Sequence, residues 1–172
     1  MDEYKVKGDI FLGVLKLVAS KWGTHGLECI GANPESIALE QWYPYEDFCT
    51  LLSDIKSKLA TGNPMIIYQI GFSMVKMDRR WQEVFHSQNP ADVFTTNKRQ
   101  ESQYLVGSYS ASVLGPKHVQ VAMTGGNCRP EWCEFYRGRL QGVLELTGRT
   151  GVVHLRQPKA EGSERVFDIK WG

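Results

Sequence analysis

Cys133-Glu-Phe-Tyr-Arg-Gly138-Arg-Leu-Gln-Gly142, then Gly148, then Phe167-Asp-Ile-Lys-Trp171, is the part of the chain that decides the fold. A glycine costs a helix interior about 1 kcal/mol relative to alanine, so Gly138 and Gly142, one turn apart, mark a face that another element approaches closely. Pro130 suits the first turn of this helix. Beyond it, Phe167, Ile169 and Trp171 alternate with Asp168 and Lys170, the pattern of a half-buried strand. The run from 152 to 156 reads as a second strand, joined to the last by a turn at Gly162-Ser163. The glycine face of this helix is therefore expected to lie on a sheet.

Working outward, His118 to Met123 and Ser110 to Leu114 are β-prone runs joined by Gly115-Pro116-Lys117, a hairpin. Upstream the period changes. Ile10, Val14, Leu17, Val18 and Trp22 recur at helical spacing, with Asp9 expected as N-cap and Gly23 as stop, and a short second helix is expected over Leu27 to Gly31. Pro44 opens an amphipathic helix carrying Tyr45, Phe48, Leu52, Ile55 and Leu59. Pro64 opens another, with Ile67, Ile70, Met74, Met77 and Trp81 on its stripe, expected to run to about Phe85 as the central helix. Asn89-Pro90 breaks the pattern, and 91–104 reads as an irregular helical connector. Helices come first and a mostly antiparallel sheet of about four strands later, so the fold class is α+β, a single domain over 1–172.

Composition narrows the function classes. At 172 residues one domain buries enough surface to fold without metals or disulfides. The net charge of +1, from twenty basic and nineteen acidic residues spread along the chain, gives no footprint for nucleic acid or an anionic membrane. No stretch reaches the roughly 18 apolar residues of a membrane span, and the N-terminus lacks the pattern of a secretory signal. Cys29, Cys49, Cys128 and Cys133 read as free thiols, which points to a cytoplasmic protein.

With these elements in place, the order and spacing of Cys133, Gly138, Gly142, Gly148, Gly162 and the final Phe167 to Trp171 strand resemble the C-terminal half of the 4-vinyl-reductase domain. Lys7-Gly8, Trp42-Tyr43-Pro44 and the helix around Gly71 resemble its stand-alone myxobacterial relatives, and the whole is similar to the superfamily of haem nitric-oxide-binding domains and vesicle-tethering subunits. The resemblance implies helices on one face of an antiparallel sheet around an apolar cavity. In phenol-sensing members a zinc ion is held by a helix cysteine, a strand glutamate and two later cysteines. Here Cys133 matches the first, but the other positions fall on His154, Gln157 and Arg165, and arginine offers only donors. Cys133 and His154 are the metal candidates, and the family zinc site is not expected. Haem-binding members carry a proximal histidine before the first strand and a Tyr-x-Ser-x-Arg motif. The corresponding regions hold Asn97, Glu101 and Gln103, and Met123-Thr-Gly-Gly-Asn127; His86 is a ligand only on a shifted alignment. No cofactor is expected.

No catalytic constellation stands out. The four histidines are dispersed, Cys128 and Cys133 lack a second pair, and Gly125-Gly126-Asn127 lacks the Lys-Ser/Thr of a phosphate loop. Bulky flat side chains concentrate on the two long helices. Trp42, Tyr45, Phe48, Tyr68, Phe72, Met74, Trp81, Phe85 and Phe135 are the candidate lining of a small-molecule pocket. The expectation is a non-enzymatic sensory domain that binds a small apolar ligand and signals through a protein partner or homodimer. A dimerisation scaffold is the alternative, and a haem-based gas sensor the third reading.

Overall fold

A computed structural model describes residues 4–78, 81–82, 85–86, 88–96, 104–124, 129–156 and 164–172. Lys5–Lys7 forms β1, which runs directly into α1, Gly8–Cys29. The junction needs a glycine: a Cβ on Gly8 would sit 2.0 Å from the Ala38 carbonyl oxygen. Asp9 lies in the first turn of α1, while Lys7 takes the N-cap position without a side-chain cap. Gly23 interrupts the helix where a stop was expected. It takes φ 68°, ψ −165°, and the helix resumes to Cys29, where the short second helix was expected.

Trp42–Pro44 is β2, and Tyr45–Asp54 is α2, which widens into one π-turn over Ile55–Leu59. Met65–Met77 is α3. It ends earlier than its stripe suggests, because Asp78 leaves the helix with ψ 102° and Trp81 and Phe85 sit on a following helical turn. Helix periodicity is blind to a break after which the helix restarts in phase. Pro90–Thr96 is α4. Tyr104–Leu105, Ser108–Gly115 and His118–Thr124 are β3, β4 and β5. Pro130–Leu146 is α5, and Gly151–Leu155 and Arg165–Trp171 are β6 and β7.

β1 is the middle strand of a small antiparallel sheet ordered β2-β1-β3, and the main sheet is antiparallel in the order β4-β5-β7-β6. The small sheet was not foreseen, since strands of two or three residues carry no readable period. The α+β class and the four-stranded sheet are as expected. The expected turns at 125–127 and 162–163, and Cys128, lie outside the described residues.

The central helix is α5, not α3. Twelve of its seventeen residues are buried, because it lies between the sheet and α3. A Cβ on Gly138 would come within 2.0 Å of the Tyr68 carbonyl oxygen, and one on Gly71 within 2.1 Å of that of Phe135. The two helices therefore touch backbone to backbone: the close approach that the glycine spacing implied is made by α3, not by the sheet on which the glycine face was expected to lie. On its other side, Trp132, Phe135 and Tyr136 meet Tyr45 and Phe48 of α2 and Phe167 of the sheet at ring distances of 5.1–5.9 Å, so this aromatic block is solid core. Trp132 Nε1–H is satisfied by Met123 Sδ at 3.3 Å. Among the described residues no helix is long and apolar enough to cross a membrane.

Candidate ligand cavity

A cavity of about 340 Å³ opens between α1, α3 and α5, near the lower end of the ~300–1,000 Å³ of small-molecule sites. Ile10, Gly13 and Leu17 of α1 form one wall, Met74 and Val75 of α3 another, and Trp81 and Arg139 complete it. Gly13 lets α1 come close, for a Cβ there would lie 2.5 Å from the Met74 methyl. Arg139 is 3% exposed, and its guanidinium stands 5.3 Å from the Trp81 ring and 5.8 Å from that of Phe135. A cation held against two aromatic faces is stabilised where solvent does not reach it. Asp9, Lys16 and Asp78 also line the opening, so the polar groups carry both signs. Leu39 and Met77 lie there with 55% and 61% of their surface exposed. Singly exposed apolar side chains are ordinary, and here two of them border the apolar hollow.

Of the nine aromatic and sulfur residues singled out in the sequence, Met74 and Trp81 line this cavity. Tyr45, Phe48 and Phe135 are locked into the aromatic core. Phe85 stacks edge-on against Trp81 at 5.4 Å in a second cluster with Val75, Val93, Val143 and Leu146. Tyr68 and Phe72 stack on each other along α3, under Arg137 at 4.4 Å and Lys76 at 5.7 Å respectively. Trp42 pairs with Lys7 in the small sheet, partly exposed. Arg139 was missed, because an arginine on an amphipathic helix reads as a surface residue. The signal was its place one residue after Gly138, on a helix otherwise apolar on that side.

Cys133 and His154 are not brought together. Cys133 is buried on α5, under the sheet face that Val153 joins, whereas His154 is exposed on the opposite face beside Asp168. That outer face carries a polar cluster. Arg156 Nε and Nη2, His118 Nε2 at 2.8 Å and Gln120 Nε2 at 3.5 Å all converge on the Asp168 carboxylate. Burial pushes this carboxyl up, but the hydrogen bonds from Arg156, His118 and Gln120 outweigh it and hold the group down at about 2. No group of three His, Cys, Asp or Glu is placed to hold a metal among the described residues.

The element order and sheet are those of the haem-nitric-oxide-binding (H-NOX) fold. The structure superposes on the H-NOX protein from K. algicida in its Fe(II) unliganded form with a TM-score of 0.73, at 13% identity over 96% of each chain. On a point mutant of the T. tengcongensis H-NOX the TM-score is 0.71, at 12% identity over 95% of this chain and 97% of the other. A Cs H-NOX mutant carrying 4-cyano-phenylalanine gives 0.72 at 13% identity over 96% of each. No protein-family model matches the sequence, and no curated protein matches it.

No histidine or cysteine lines the cavity to ligate a haem iron. Positions 87–117, from the end of the Trp81 segment through α4 to the β4–β5 turn, contain no histidine, cysteine or methionine. An iron site needs an axial ligand. His25, His86 and His154 are exposed, and His118 is bound to Asp168. The cavity itself offers no imidazole or thiolate, and its soft donors are the Met74 and Met77 thioethers.

Proposed function

We propose that this chain is a non-enzymatic sensory domain of the H-NOX fold that binds a small, largely apolar molecule in the cavity between α1, α3 and α5. One observation carries it: a hollow of about 340 Å³ walled by Ile10, Leu17, Met74 and Trp81, with a buried guanidinium in its lining and two exposed apolar side chains at its opening. Binding would fix the spacing of α1 against α3, and the readout would be a population shift of α1 and the Leu39 segment.

A haem-based gas sensor is the second reading. The fold comparison favours it over the apolar-ligand reading, since the matched structures are H-NOX proteins and include work on haem distortion and on H-NOX activation. The side chains favour the reverse. On a shifted alignment, His86 would be the candidate axial ligand.

Native mass spectrometry of the protein as purified, paired with an absorption spectrum after haem addition, tests both readings. Extra mass that disappears on denaturation, with no Soret band, supports the apolar-ligand reading. A stoichiometric Soret band that is lost in His86→Ala moves the protein to the gas-sensor reading. A bare chain that binds neither haem nor any member of a small apolar library removes both.

A further inference from the structure

The near-balance of charge over the whole chain hides one local exception. Residues 22–55 carry six acidic side chains, Glu28, Glu35, Glu40, Glu46, Asp47 and Asp54, and no lysine or arginine, although the chain as a whole is +1. The fold neutralises part of this block with bases from elsewhere: Lys7 reaches Glu40, Arg129 reaches Glu46 at 2.9 Å, and Lys58 reaches Asp54 at 3.0 Å. Glu35 and Asp47 stay exposed, with no basic residue of their own stretch to balance them.

The same stretch builds a second hollow, of about 270 Å³, between α1, the turn at 31–37 and α2. Its apolar lining is Phe11, Leu15 and Ile30, all buried, with Ile37 and Leu51 half-buried beside them. From α2 it takes Asp47, Thr50, Leu51 and Asp54, the i, i+3, i+4, i+7 stripe of one helix face. The two carboxylates therefore stand at the ends of this stripe, about 10 Å apart along the helix, with Leu51 between them. The turn is held by its own hydrogen bonds: Asn33 Oδ1 accepts from Glu35 N–H at 3.0 Å, Ser36 Oγ donates to Asn33 O at 2.7 Å, and Ala38 N–H donates to the Tyr43 hydroxyl at 2.8 Å. The groove is thus formed before anything enters it, which lowers the entropy cost of binding. Its volume falls below the ~300–1,000 Å³ of small-molecule sites and suits the anchoring side chains of a larger partner.

We propose that this groove docks a basic amphipathic helix of a partner protein. The partner seats leucine or isoleucine side chains against Phe11, Leu15 and Ile30, between two lysines or arginines that pair with Asp47 and Asp54. Such a helix repeats the α2 stripe with its charges reversed: a base, apolar residues three and four positions on, and a second base at seven. Asp54 can take the second base while keeping Lys58, because a carboxylate accepts several hydrogen bonds. Charge selects this occupant over others. A two-fold pairing of the groove with itself would bring acidic stripes together, and an anionic lipid surface would be repelled. The proposal goes beyond the ligand reading and does not rest on it. The two sites nevertheless share a wall, since Ile10, Gly13 and Leu17 of α1 line the ligand cavity while Phe11 and Leu15 line the groove.

Fluorescence anisotropy of the full chain with a labelled alanine-based helical peptide carrying Lys-Ala-Ala-Leu-Leu-Ala-Ala-Lys tests this. At low salt the peptide is expected to bind with a dissociation constant of about 10–100 μM, weakening as salt is raised. Asp47→Lys reverses one charge of the stripe, and Thr50→Phe fills the groove without changing charge; each should weaken binding about tenfold. Glu164→Lys makes the same charge change at an exposed position before β7 and should leave affinity within about twofold. Replacing both leucines of the peptide by serine should also cost about tenfold, since the apolar anchor is then lost. The proposal is overturned by no binding up to about 1 mM, by equal weakening in Glu164→Lys, or by indifference to Thr50→Phe. A homodimer that Thr50→Phe dissolves would also overturn it, by giving the groove to a second copy of the chain.

Discussion

Gly138→Ala is the sharpest test of how the fold is held together. In an ordinary helix interior the change would stabilise by about 1 kcal/mol. Here the new Cβ would lie 2.0 Å from the Tyr68 carbonyl oxygen, with Tyr68 C and Phe72 N both at 2.9 Å, whereas ordinary contact begins near 3.4 Å. These are backbone atoms of α3, so no side-chain rotation relieves the clash and the helices must part by on the order of 1 Å. A gap of that size forfeits a quarter to a half of the dispersion energy of the atoms lining it, and Ile67, Ile70 and Val75 all lie buried on α3. We set the cost at about 3–5 kcal/mol, or a net loss of about 2–4 after the propensity gain, out of the ~5–15 of a typical domain. In urea the midpoint should fall without a change in slope, and on heating the transition should drop by about 5–15 °C. Gly13→Ala is the control, because its Cβ would meet only the terminal methyl of Met74, a flexible group that swings aside. It should shift stability by no more than about 1 kcal/mol. A Gly138→Ala protein as stable as wild type would refute the backbone contact. Equal losses at both sites would show that the effect is not specific to this contact.

Two further expectations concern polar groups. Asp168 is lowered in the folded state from its ordinary 3.8 to about 2, so its anion stabilises the fold fully above pH ~4 and loses that contribution as pH falls toward 2. The amount is about 1–2 kcal/mol, discounted because Arg156 is half exposed, and Asp168→Asn should flatten the acid limb of a urea-midpoint profile taken across that range. Gln141→Leu keeps the side-chain volume but strands Gly151 C=O and Val153 N–H on the β6 edge. It should cost about 1–3 kcal/mol and speed exchange of the Val153 amide while leaving that of Val152, bonded to β7, largely unchanged.

The parts of the fold that a single sequence could announce are those with a long, regular period. The four main strands, the proline openings of α2, α3 and α5, and the close face of Gly138 and Gly142 all belong to this group. Errors arose where a local signal had two structural outcomes. The stripe Met74, Met77, Trp81 survived a break at Asp78 because the next turn restarts in phase. The candidate site was less legible. Aromatic richness on α2 and α3 marked a solid core as readily as a cavity lining, and only the crossing of α1, α3 and α5 decided that the hollow falls beside Met74 and Trp81.

The sequence by itself determined the α+β class, the antiparallel sheet and the requirement for a close approach to the Gly138 and Gly142 face, though not that a helix makes it, because periodicity, proline and glycine act within a few residues of themselves. Tertiary structure alone decided that Arg139 is buried beside a cavity, that Cys133 and His154 lie on opposite faces of one sheet, and that Gln141 closes the β6 edge of that sheet. Each of these depends on which elements meet in space. A side chain's burial, partners and chemistry are set by neighbours that the order of residues does not specify.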